Sequence, residues 1–509
     1  MPLSNIEVFR RKPRIDYSGL TIVLSNPSRF DFEQKRLLAG MAGSFFLETC
    51  LRGGVNLAHD FRIAEDKSPL LDGTKTVLML GSRAMDDYVK SNGLIDKEIT
   101  LNEQRGSPII GRDGIVYIAS YQPQDTFDIK SDYEREYNQY LVEGERGDDS
   151  EDDEDSKEDD AKTTHGKTKR KNWRFWLQKD TQKILRILDK GLSLPTTPVY
   201  NIYPDINQVI NELRTNKNTD FYFDIETDSE YNLTCIGFAF GDGDIFVVPI
   251  YRYDYSLAYD WLKICELFSS LSIAFRDNTT VIHNSLFDLF IMVWRYRIPI
   301  GFHAFDTMLS HHRNFPEVEK SLGHTISLYT DLPYHKNEGV FEPHNVVQEQ
   351  QLWEYNGKDI FSMREVKKGI LKHAEKIKSL ESIQQVNKSI VPYLSLMLTG
   401  IRFNNDMRTK KMADNDKRMM EILRLLKYLV GYDFLPTSPK QCVDYFHNDL
   451  GFSIVGKSKR TGKPSLDEKN MMKLYVRNDH PVIPLCLEFR RLSKETGSLK
   501  FNPWRTPSI

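Results

Sequence analysis

Four acidic residues in three separate segments have the types and spacing needed to hold divalent metal ions. Asp224 and Glu226 lie in the segment FYFDIET, Asp288 lies in HNSLFD, and Asp359 lies in YNGKD. Carboxylate oxygens are the ligands that Mg²⁺ and Mn²⁺ prefer. Two such ions, about 3.5–4 Å apart, can stabilise both the attacking and the leaving oxygen at a phosphodiester bond. The set therefore predicts a centre with two Mg²⁺ (or Mn²⁺) ions and the chemistry of phosphodiester hydrolysis.

The elements that carry these acids can be predicted from their local patterns. FYFDIET is typical of a β-strand, on which Asp224 and Glu226, at i and i+2, point to the same face while Ile225 points to the other. Tyr355 and Asp359 are four residues apart on a predicted helix, which places them on one helical face. Asp288 follows a predicted strand and turn, near the start of another helix. The sequence therefore predicts that a strand and two helices together position the acids.

Each residue of the set has a predicted role. Asp224 is the ligand shared by both metals, and Glu226 is a second ligand that also steers the attacking water. Asp288 positions the metal near the leaving group, and Asp359 completes the metal site beside the nucleophile. Tyr355 donates a hydrogen bond that aligns the attacking water.

One further residue of this region has two possible roles. Asn284, in the turn before Asp288, either binds the terminal nucleotide or braces the turn.

Taken singly, these motifs are weak, because a D-x-E on a strand and a Y-x-x-x-D on a helix are common. They could equally be acids at a strand end and solvated residues of a helix. The ordered combination is more specific, with spacings of 62 residues from Glu226 to Asp288 and 71 from Asp288 to Asp359. Acids inside apolar stretches such as FYFDIET are also costly to bury without a function.

The three segments resemble the ExoI, ExoII and ExoIII motifs of the DEDDy 3′–5′ exonucleases, with the tyrosine at 355 giving the y subtype. The resemblance implies an α/β fold with an RNase H-like (DnaQ-like) exonuclease domain. It also implies hydrolysis from a 3′ end that releases nucleoside monophosphates. Residues 305–336 resemble the stretch between the second and third motifs of family A DNA polymerases, which implies a structural role for Asp306.

The resemblance to family A polymerases continues beyond these motifs. Residues 389–407, 435–452 and 480–499 are similar to segments of the thumb region of that family. A loop between the last two of these segments carries four basic residues expected to hold duplex phosphates: Lys457, Lys459, Arg460 and Lys463. The resemblance implies the DNA-binding and proofreading part of a DNA-directed DNA polymerase, as found in large tailed Bacillus phages. Palm and fingers motifs are not found in the sequence, so we expect nucleotidyl transfer to require a further polypeptide part.

The N-terminal segment resembles the C-terminal half of uracil-DNA glycosylase-like domains in the stretches VLMLGSRAMDDYV and GIVYIASYQPQD. That family usually has a histidine before the proline at 123, where this sequence has Gln122. The sequence also lacks a recognisable water-activating acid around 25–31. The expectation is therefore a small α/β domain that is an inactive relative of these glycosylases.

Charge is segregated along the chain although the formal net charge is only −3. Residues 143–162 hold twelve acidic residues against three basic ones, a composition typical of a disordered linker. Residues 380–509 hold 22 basic against 13 acidic residues, which suits a surface that follows a phosphate backbone. The predicted organisation is a glycosylase-like domain at 1–140, a disordered linker at 141–172, an exonuclease domain at 173–378 and a mainly helical thumb-like region at 379–509.

Other function classes are disfavoured by composition. There is no apolar run of about 18 residues and no apolar signal segment at the N-terminus, so we expect a cytoplasmic protein, in the host cell if it is viral. The five cysteines are scattered, which argues against a disulfide framework or a zinc site.

Two other functions stay open. One is a standalone RNase D-like 3′–5′ exoribonuclease. The other is a non-catalytic DNA-binding subunit of a replisome. The expected partners are a single-stranded or frayed 3′ end, primer–template duplex DNA and a polymerase palm and fingers, without a membrane.

Overall fold

A computed structural model describes most of the chain. The described residues are 19–25, 31, 37–38, 41–52, 60–64, 66, 68–91, 99–126, 157–301, 303–402, 404–457 and 464–500. The chain forms two compact units, Met1–Leu398 and Thr399–Ile509. The fold is mixed α/β, with two sheets in the first unit and helices throughout.

The N-terminal part of the first unit contains a five-stranded sheet. Its strands are β1 Leu20–Leu24, β2 Asp60–Ile63, β3 Thr76–Leu80, β4 Ile109–Ile110 and β5 Val116–Ser120. Their order is β2-β1-β3-β5-β4, and only β4 runs antiparallel to its neighbour. β1, β3 and β5 are buried along their whole length. Their nearly continuous apolar sequences fit a parallel sheet that is covered on both faces.

The helices beside this sheet are short. They are α1 Met41–Arg52, α2 Ser82–Ser91 and α3 Leu101–Gln104, with a 3₁₀ turn at Pro123–Thr126. Two apolar clusters lie around the sheet, one containing Phe46 of α1 and the other containing Met85 of α2. The observed arrangement agrees with the small α/β domain that the sequence analysis expects for this segment.

A long helix, α4 Lys157–Lys190, connects the two sheets of the first unit. This differs from the predicted disordered linker at 141–172, because the helix already begins at Lys157; residues 141–156 lie outside the described residues. Glu, Lys and Ala are good helix formers, so a charged segment can extend a helix that is anchored further along. The anchor is apolar and includes Trp176, Leu177 and Ile184, all buried.

The second half of α4 is fixed by a buried polar junction. Arg105 donates to Asp180 Oδ1 at 2.9 Å and to Ser327 Oγ at 2.6 Å, and its guanidinium carbon lies 3.5 Å from the centre of the Trp176 ring. Asp180 also accepts from Ser120 at 2.7 Å. Arg105 follows α3, Ser120 ends β5, Asp180 lies on α4, and Ser327 lies in the helix Leu322–Tyr329. Their bonds therefore hold the N-terminal part against the rest of the unit.

The second sheet has six strands. They are β6 Tyr200–Ile202, β7 Asp220–Thr227, β8 Leu233–Phe240, β9 Ile245–Pro249, β10 Thr279–Ile282 and β11 Ala304–Asp306. The order is β11-β10-β7-β8-β9-β6: β7, β8 and β9 form an antiparallel meander, while β10 and β11 run parallel to β7. The sequence Gly-Asp-Gly-Asp at 241–244 forms the turn between β8 and β9.

Helices cover both faces of this sheet. They are α5 Ile206–Thr215, α6 Trp261–Asp277, α7 Ser285–Trp294, α8 Thr307–Asn314, α9 Leu322–Tyr329, α10 Val346–Ile377, α11 Leu380–Lys388 and α12 Ile390–Thr399. Phe221, Phe223 and Ile225 of β7 pack with α5, α6 and α7, whereas Tyr222 packs with α9 and α10. Because side chains alternate along a strand, Asp224 and Glu226 lie on the same face of β7 as Tyr222, which is the face that α10 covers.

The 32-residue helix α10 begins after Asn345, whose side chain accepts from the backbone N–H of Gln348. It ends at Lys378, which adopts the left-handed conformation with φ of 60°. Its neighbours α11 and α12 belong to the same packing, because Ile383, Ile390 and Leu394 are buried in the cores of this sheet. The first unit thus extends beyond the predicted domain boundary at 378.

The second unit is helical. It contains α13 Asn405–Val430, α14 Pro439–Val443, a π-helical turn at Asp444–Asp449, α15 Glu468–Asn478 and α16 Val482–Leu499. These elements share one apolar core. The Arg418 guanidinium of α13 forms two hydrogen bonds with Glu488 of α16, at 2.8 and 2.9 Å. In the described ranges, no helix is long and apolar enough to cross a membrane.

Candidate metal-binding site

Asp224 and Glu226 project from β7 towards α10, as the strand alternation predicts. Glu226 is buried, Asp224 is half-buried, and Ile225 between them packs into the opposite core. Asp224 Oδ2 accepts a hydrogen bond from Asn356 Nδ2 at 2.7 Å. The strand and the helix are therefore joined directly at the first acid.

A glycine allows this close approach of the helix. Gly237 of β8 pairs with Asp224 in the sheet, and a Cβ at position 237 would lie 2.2 Å from Asn356 Oδ1. Only a residue without a side chain leaves room for the amide of Asn356 at this position.

Asp359 lies on α10 and has two basic partners. It accepts from His335 Nε2 at 2.7 Å and from the Lys336 ammonium at 2.5 Å. Tyr355, one turn earlier, is buried, and Lys336 Nζ lies 4.1 Å from the centre of its ring. Tyr355 and Asp359, which were predicted to share a face of α10, thus both contact Lys336.

Three of the four predicted acids converge. One oxygen atom from each of Asp224, Glu226 and Asp359 lies within 4.8 Å of those of the other two. We call this group the acidic trio. Its members come from β7 and α10, which are more than 130 residues apart in the sequence.

The fourth acid, Asp288 near the start of α7, lies outside the acidic trio. Its Oδ1 accepts the backbone N–H of Ile225 at 3.1 Å, so it is tied to the strand between Asp224 and Glu226. Asp288 is buried, and burial followed by the charge of Asp224 raises its pKa well above the usual range. All four predicted acids therefore lie in one region, although only three form the compact group.

The electrostatics of the acidic trio show a shortage of positive charge. Burial, and then the charge of Asp359, raise the pKa of Asp224 to about 8. Burial followed by the charges of Asp224 and Asp359 raises the pKa of Glu226 well above its usual value. For Asp359, burial acts in the same direction, but Lys336 and His335 outweigh it and lower the pKa. A divalent cation would relieve the repulsion that remains.

The phenol of Tyr355 faces the same charges. Burial raises the pKa of Tyr355, and the carboxylates of Asp359, Glu226 and Asp224 raise it further. The group therefore stays protonated near neutral pH and can serve as a hydrogen-bond donor beside the acids.

The predicted residue Asn284 lies in a strained turn. It has φ of 66° and ψ of 52° and precedes α7 without a side-chain capping bond. Its backbone N–H donates to Asp306, which also accepts from Ser285 and from two backbone groups at the start of α8. Asp306 thus has its oxygens occupied by the turn and by α8, as expected of a structural residue.

Of the four basic residues predicted to hold duplex phosphates, the structure describes Lys457. It is exposed in the second unit, and its backbone forms an antiparallel bridge with Pro464. Lys459, Arg460 and Lys463 lie outside the described residues.

Three residues beside the acids were missed by the sequence analysis: His335, Lys336 and Asn356. His335 and Lys336 lie in an irregular segment, where no periodicity predicts a direction for a side chain. Asn356 is adjacent to Tyr355, so its position on α10 could have indicated that it lies near the acids. Its bond to Asp224 could not be predicted, because the two residues are 132 positions apart in the sequence.

The donor set fits a hard divalent cation. The acidic trio offers carboxylate oxygens, which suit Mg²⁺ and Mn²⁺, while the nearby imidazole of His335 is already bonded to Asp359. Asp224, Glu226 and Asp359 are the residues that would hold such an ion, and Asp288 is a further carboxylate that is tied to the same strand.

Comparisons with known proteins give a partial match. No established family profile matches the chain. Over 101 residues the sequence is 36% identical to DNA polymerase I of Helicobacter pylori strain J99, a stretch that makes up 20% of this chain and 10% of that protein.

Among solved structures, the chain is similar to the POL domain of Pol1 from M. smegmatis in complex with DNA primer-template and dNTP. The TM-score is 0.45 and the identity 13%, over 59% of this chain and 49% of that one. The chain thus spans a tenth of the length of the curated relative and about half of the solved one. In sequence, part of this chain is similar to family A polymerases of the DNA polymerase I kind.

Proposed function

We propose that this protein is a 3′–5′ exonuclease of the DEDDy type that acts on DNA as the proofreading part of a family A DNA polymerase. The observation that carries the proposal is the acidic trio, in which oxygens of Asp224, Glu226 and Asp359 lie within 4.8 Å of one another. Asp288 and Tyr355 stand beside it with the contacts described above. Such a set of acids is what a divalent-metal nuclease requires.

The strand order supports an RNase H-like arrangement of the second sheet. An antiparallel meander of β9, β8 and β7 continues into the parallel strands β10 and β11, and the first two acids lie on the central strand β7. The short strand β6 adds to the edge next to β9. The parallel order of the first sheet likewise supports a glycosylase-like N-terminal domain, for which we propose no catalytic role.

Two Mg²⁺ or Mn²⁺ ions are the cofactors we propose; when bound, they supply positive charge at the scissile phosphate and an activated water. The residues of the chain do the rest. Asp224 is held in position by Asn356, and Asp359 is held by His335 and Lys336. Tyr355 donates its phenolic proton in a hydrogen bond to the attacking water, and the pKa above its usual value keeps that proton in place.

DNA is the proposed substrate because of the sequence similarity to DNA polymerase I. A frayed or mismatched 3′ end costs less energy to unpair than a matched one, so we expect it to reach a buried site more readily. The proposed place of action is the cytoplasm, in the host cell if the protein is viral.

A labelled oligonucleotide tests this proposal. Full-length protein with Mg²⁺ should shorten a 5′-labelled single strand stepwise into a ladder, and EDTA should abolish the reaction. The matched oligoribonucleotide should be cut at least about tenfold more slowly, because the proposed substrate is DNA. Faster cutting of RNA would favour the exoribonuclease alternative, and intact DNA under Mg²⁺ and Mn²⁺ would refute the nuclease proposal.

A further inference from the structure

A second site with a different chemical character lies on the same unit. A cleft of about 850 Å³ opens between α4, the loop after it, the end of α9 and the second half of α10. Six basic side chains line this cleft, against two carboxylates. The basic ones are Lys179, Lys183, Arg186, Lys190, Lys368 and Lys372. We call it the basic cleft.

The two carboxylates of the basic cleft are already paired. Asp331 binds Arg186 and also accepts the backbone N–H of Ser193 at 2.9 Å. Glu365 accepts from Lys368 at 3.0 Å, one turn away on α10. The acids therefore neutralise only these two basic residues.

The other four basic side chains form no ion pair within the described parts of the chain. Lys183 donates to the carbonyl oxygens of Gly106 and Ser327, at 2.7 and 2.6 Å. Burial lowers the pKa of Lys183 to about 8 against the opposing charges of Asp331 and Asp180, so this side chain is positively charged at neutral pH. Lys179 lies over the rings of Phe175 and Phe315 rather than beside an acid, with its Nζ 5.6 and 5.9 Å from their centres. Lys190 and Lys372 are exposed. This excess of positive charge calls for an anionic ligand.

The basic residues of α4 are arranged in a row along the helix and are not clustered at one position. Lys179, Lys183, Arg186 and Lys190 follow one another at intervals of four, three and four residues, which keeps them on one face of α4. Eleven residues of helix extend over about 16 Å. Along one strand of duplex DNA, about five phosphates cover that distance at about 3.4 Å each, and an extended single strand places fewer phosphates there. Lys368 and Lys372, one turn apart on α10, add a second basic wall.

We propose that the basic cleft binds the phosphodiester backbone of a DNA strand without reading its sequence. A free nucleotide fits less well, because few apolar side chains in the lining could hold a base. Tyr329 is one of these few side chains, and a hydrogen bond between its hydroxyl group and His311 already fixes its position. The identification of the polyanion as DNA rests on the proposed function. The charge and shape of the basic cleft are observed independently of that proposal.

The basic cleft is distinct from the acidic trio. Along α10, Lys372 follows Asp359 by thirteen residues, which corresponds to about 20 Å and to a different side of the helix. A dinucleotide or trinucleotide bound at the acidic trio is too short to reach Lys372. The basic cleft should therefore affect binding of long strands and not the hydrolysis of very short ones.

The test uses the full chain with the triple variant Lys179→Gln/Lys190→Gln/Lys372→Gln. A control triple, Lys217→Gln/Lys263→Gln/Lys388→Gln, makes the same change of net charge at positions outside the basic cleft. Binding of a fluorescent 20-nucleotide single strand is measured by anisotropy in EDTA, from 50 to 200 mM salt. The double variant Lys190→Gln/Lys372→Gln, which changes only exposed side chains, serves if the triple variant folds poorly.

We expect the cleft variant to bind roughly tenfold or more weakly at low salt than wild type, and the control to bind within about twofold of it. The slope of log affinity against log salt should fall by about two, since each phosphate contact on a single strand contributes about 0.7. Hydrolysis of a trinucleotide with Mg²⁺ should be unchanged. Equal weakening in the two triple variants would overturn the proposal, as would complete displacement of the strand by millimolar inorganic phosphate.

Failure of the proposed function is distinguishable from failure of the basic cleft. If wild-type protein hydrolyses no substrate, the nuclease proposal fails, yet the binding comparison in EDTA still decides whether the basic cleft holds DNA.

Discussion

The backbone N–H of Ile225 donates a hydrogen bond to Asp288 Oδ1 at 3.1 Å. This bond ties the third acid to the strand between Asp224 and Glu226, so that β7 and α7 cannot shift independently at this point. It explains how an acid 62 residues further along the chain is brought to the first pair. The same region is completed by Asp359 from α10, which places acids from three elements around one strand.

Removing one carboxylate of the acidic trio should abolish hydrolysis. We expect Asp224→Ala and Asp359→Ala each to reduce the rate of nucleotide release by at least about 10³-fold, because a metal ligand is lost. The measurement is single-turnover release from a 3′ end at saturating Mg²⁺. Asp254→Asn, which changes an exposed acid that bonds only Ser256, is the control and should retain the wild-type rate. A wild-type rate in either acid variant would contradict the site assignment.

Tyr355→Phe should have a smaller effect. The variant keeps the ring, its packing against Phe341 and its contact with Lys336, and loses only the donor. We expect a decrease of about 10- to 100-fold in the chemical step with little change in DNA binding. Single-turnover rates report the chemical step and anisotropy reports DNA binding, so measuring both on the same substrate separates the two effects. A loss as large as that of Asp224→Ala would mean that the phenol does more than align water.

Without metal, the burial of Asp224 and the nearby charge of Asp359 should reduce stability as pH rises. The pKa of Asp224 is about 8 in the folded protein, against an ordinary value of 3.8. Between these values the unfolded chain is ionised while the folded one retains its proton, so the free energy of unfolding falls from about pH 4 to pH 8. In EDTA, Asp224→Asn should flatten this decline and raise the melting temperature at pH 8 by about 2–5 °C.

The measurement is thermal unfolding in EDTA at several pH values. Adding Mg²⁺ should raise the melting temperature of the wild-type protein, because the ion binds only the folded state, and should leave that of the variant nearly unchanged. A melting temperature for Asp224→Asn below that of wild type throughout pH 5–8 would show that the acid is not under electrostatic strain.

Gly237→Ala should disturb the contact between the strand and the helix. The new Cβ would meet Asn356 Oδ1 at 2.2 Å, so Asn356 must move and its bond to Asp224 must break. We expect a loss of about 1–3 kcal/mol in the free energy of unfolding and about tenfold lower activity. Gly497→Ala is a matched control, because nothing lies within 4 Å of its added Cβ. Equal behaviour of the two variants in denaturant unfolding would argue against the tight approach at Gly237.

The sequence was sufficient to predict the elements that carry the acids. The alternation in FYFDIET predicted the shared face of Asp224 and Glu226, and the interval of four predicted that Tyr355 and Asp359 lie together on α10. These are local patterns, and the structure reproduces both.

Contacts between distant segments could not be predicted in the same way. Lys336 reaches Asp359 from an irregular segment, and Arg105 reaches Asp180 from 75 residues away, so no periodic pattern marks either pair. The start of α4 at Lys157 was missed because charge composition alone suggested disorder, whereas helix formation there depends on the apolar anchor that follows.

The central claim is tested most directly by a primer assay on the full-length protein with Mg²⁺, using DNA with a mismatched 3′ end, with and without dNTPs. We expect stepwise shortening from the 3′ end and release of nucleoside monophosphates, with all shortening lost in Asp359→Ala. Undiminished shortening by that variant, or no shortening by the wild type with any divalent metal, would contradict it.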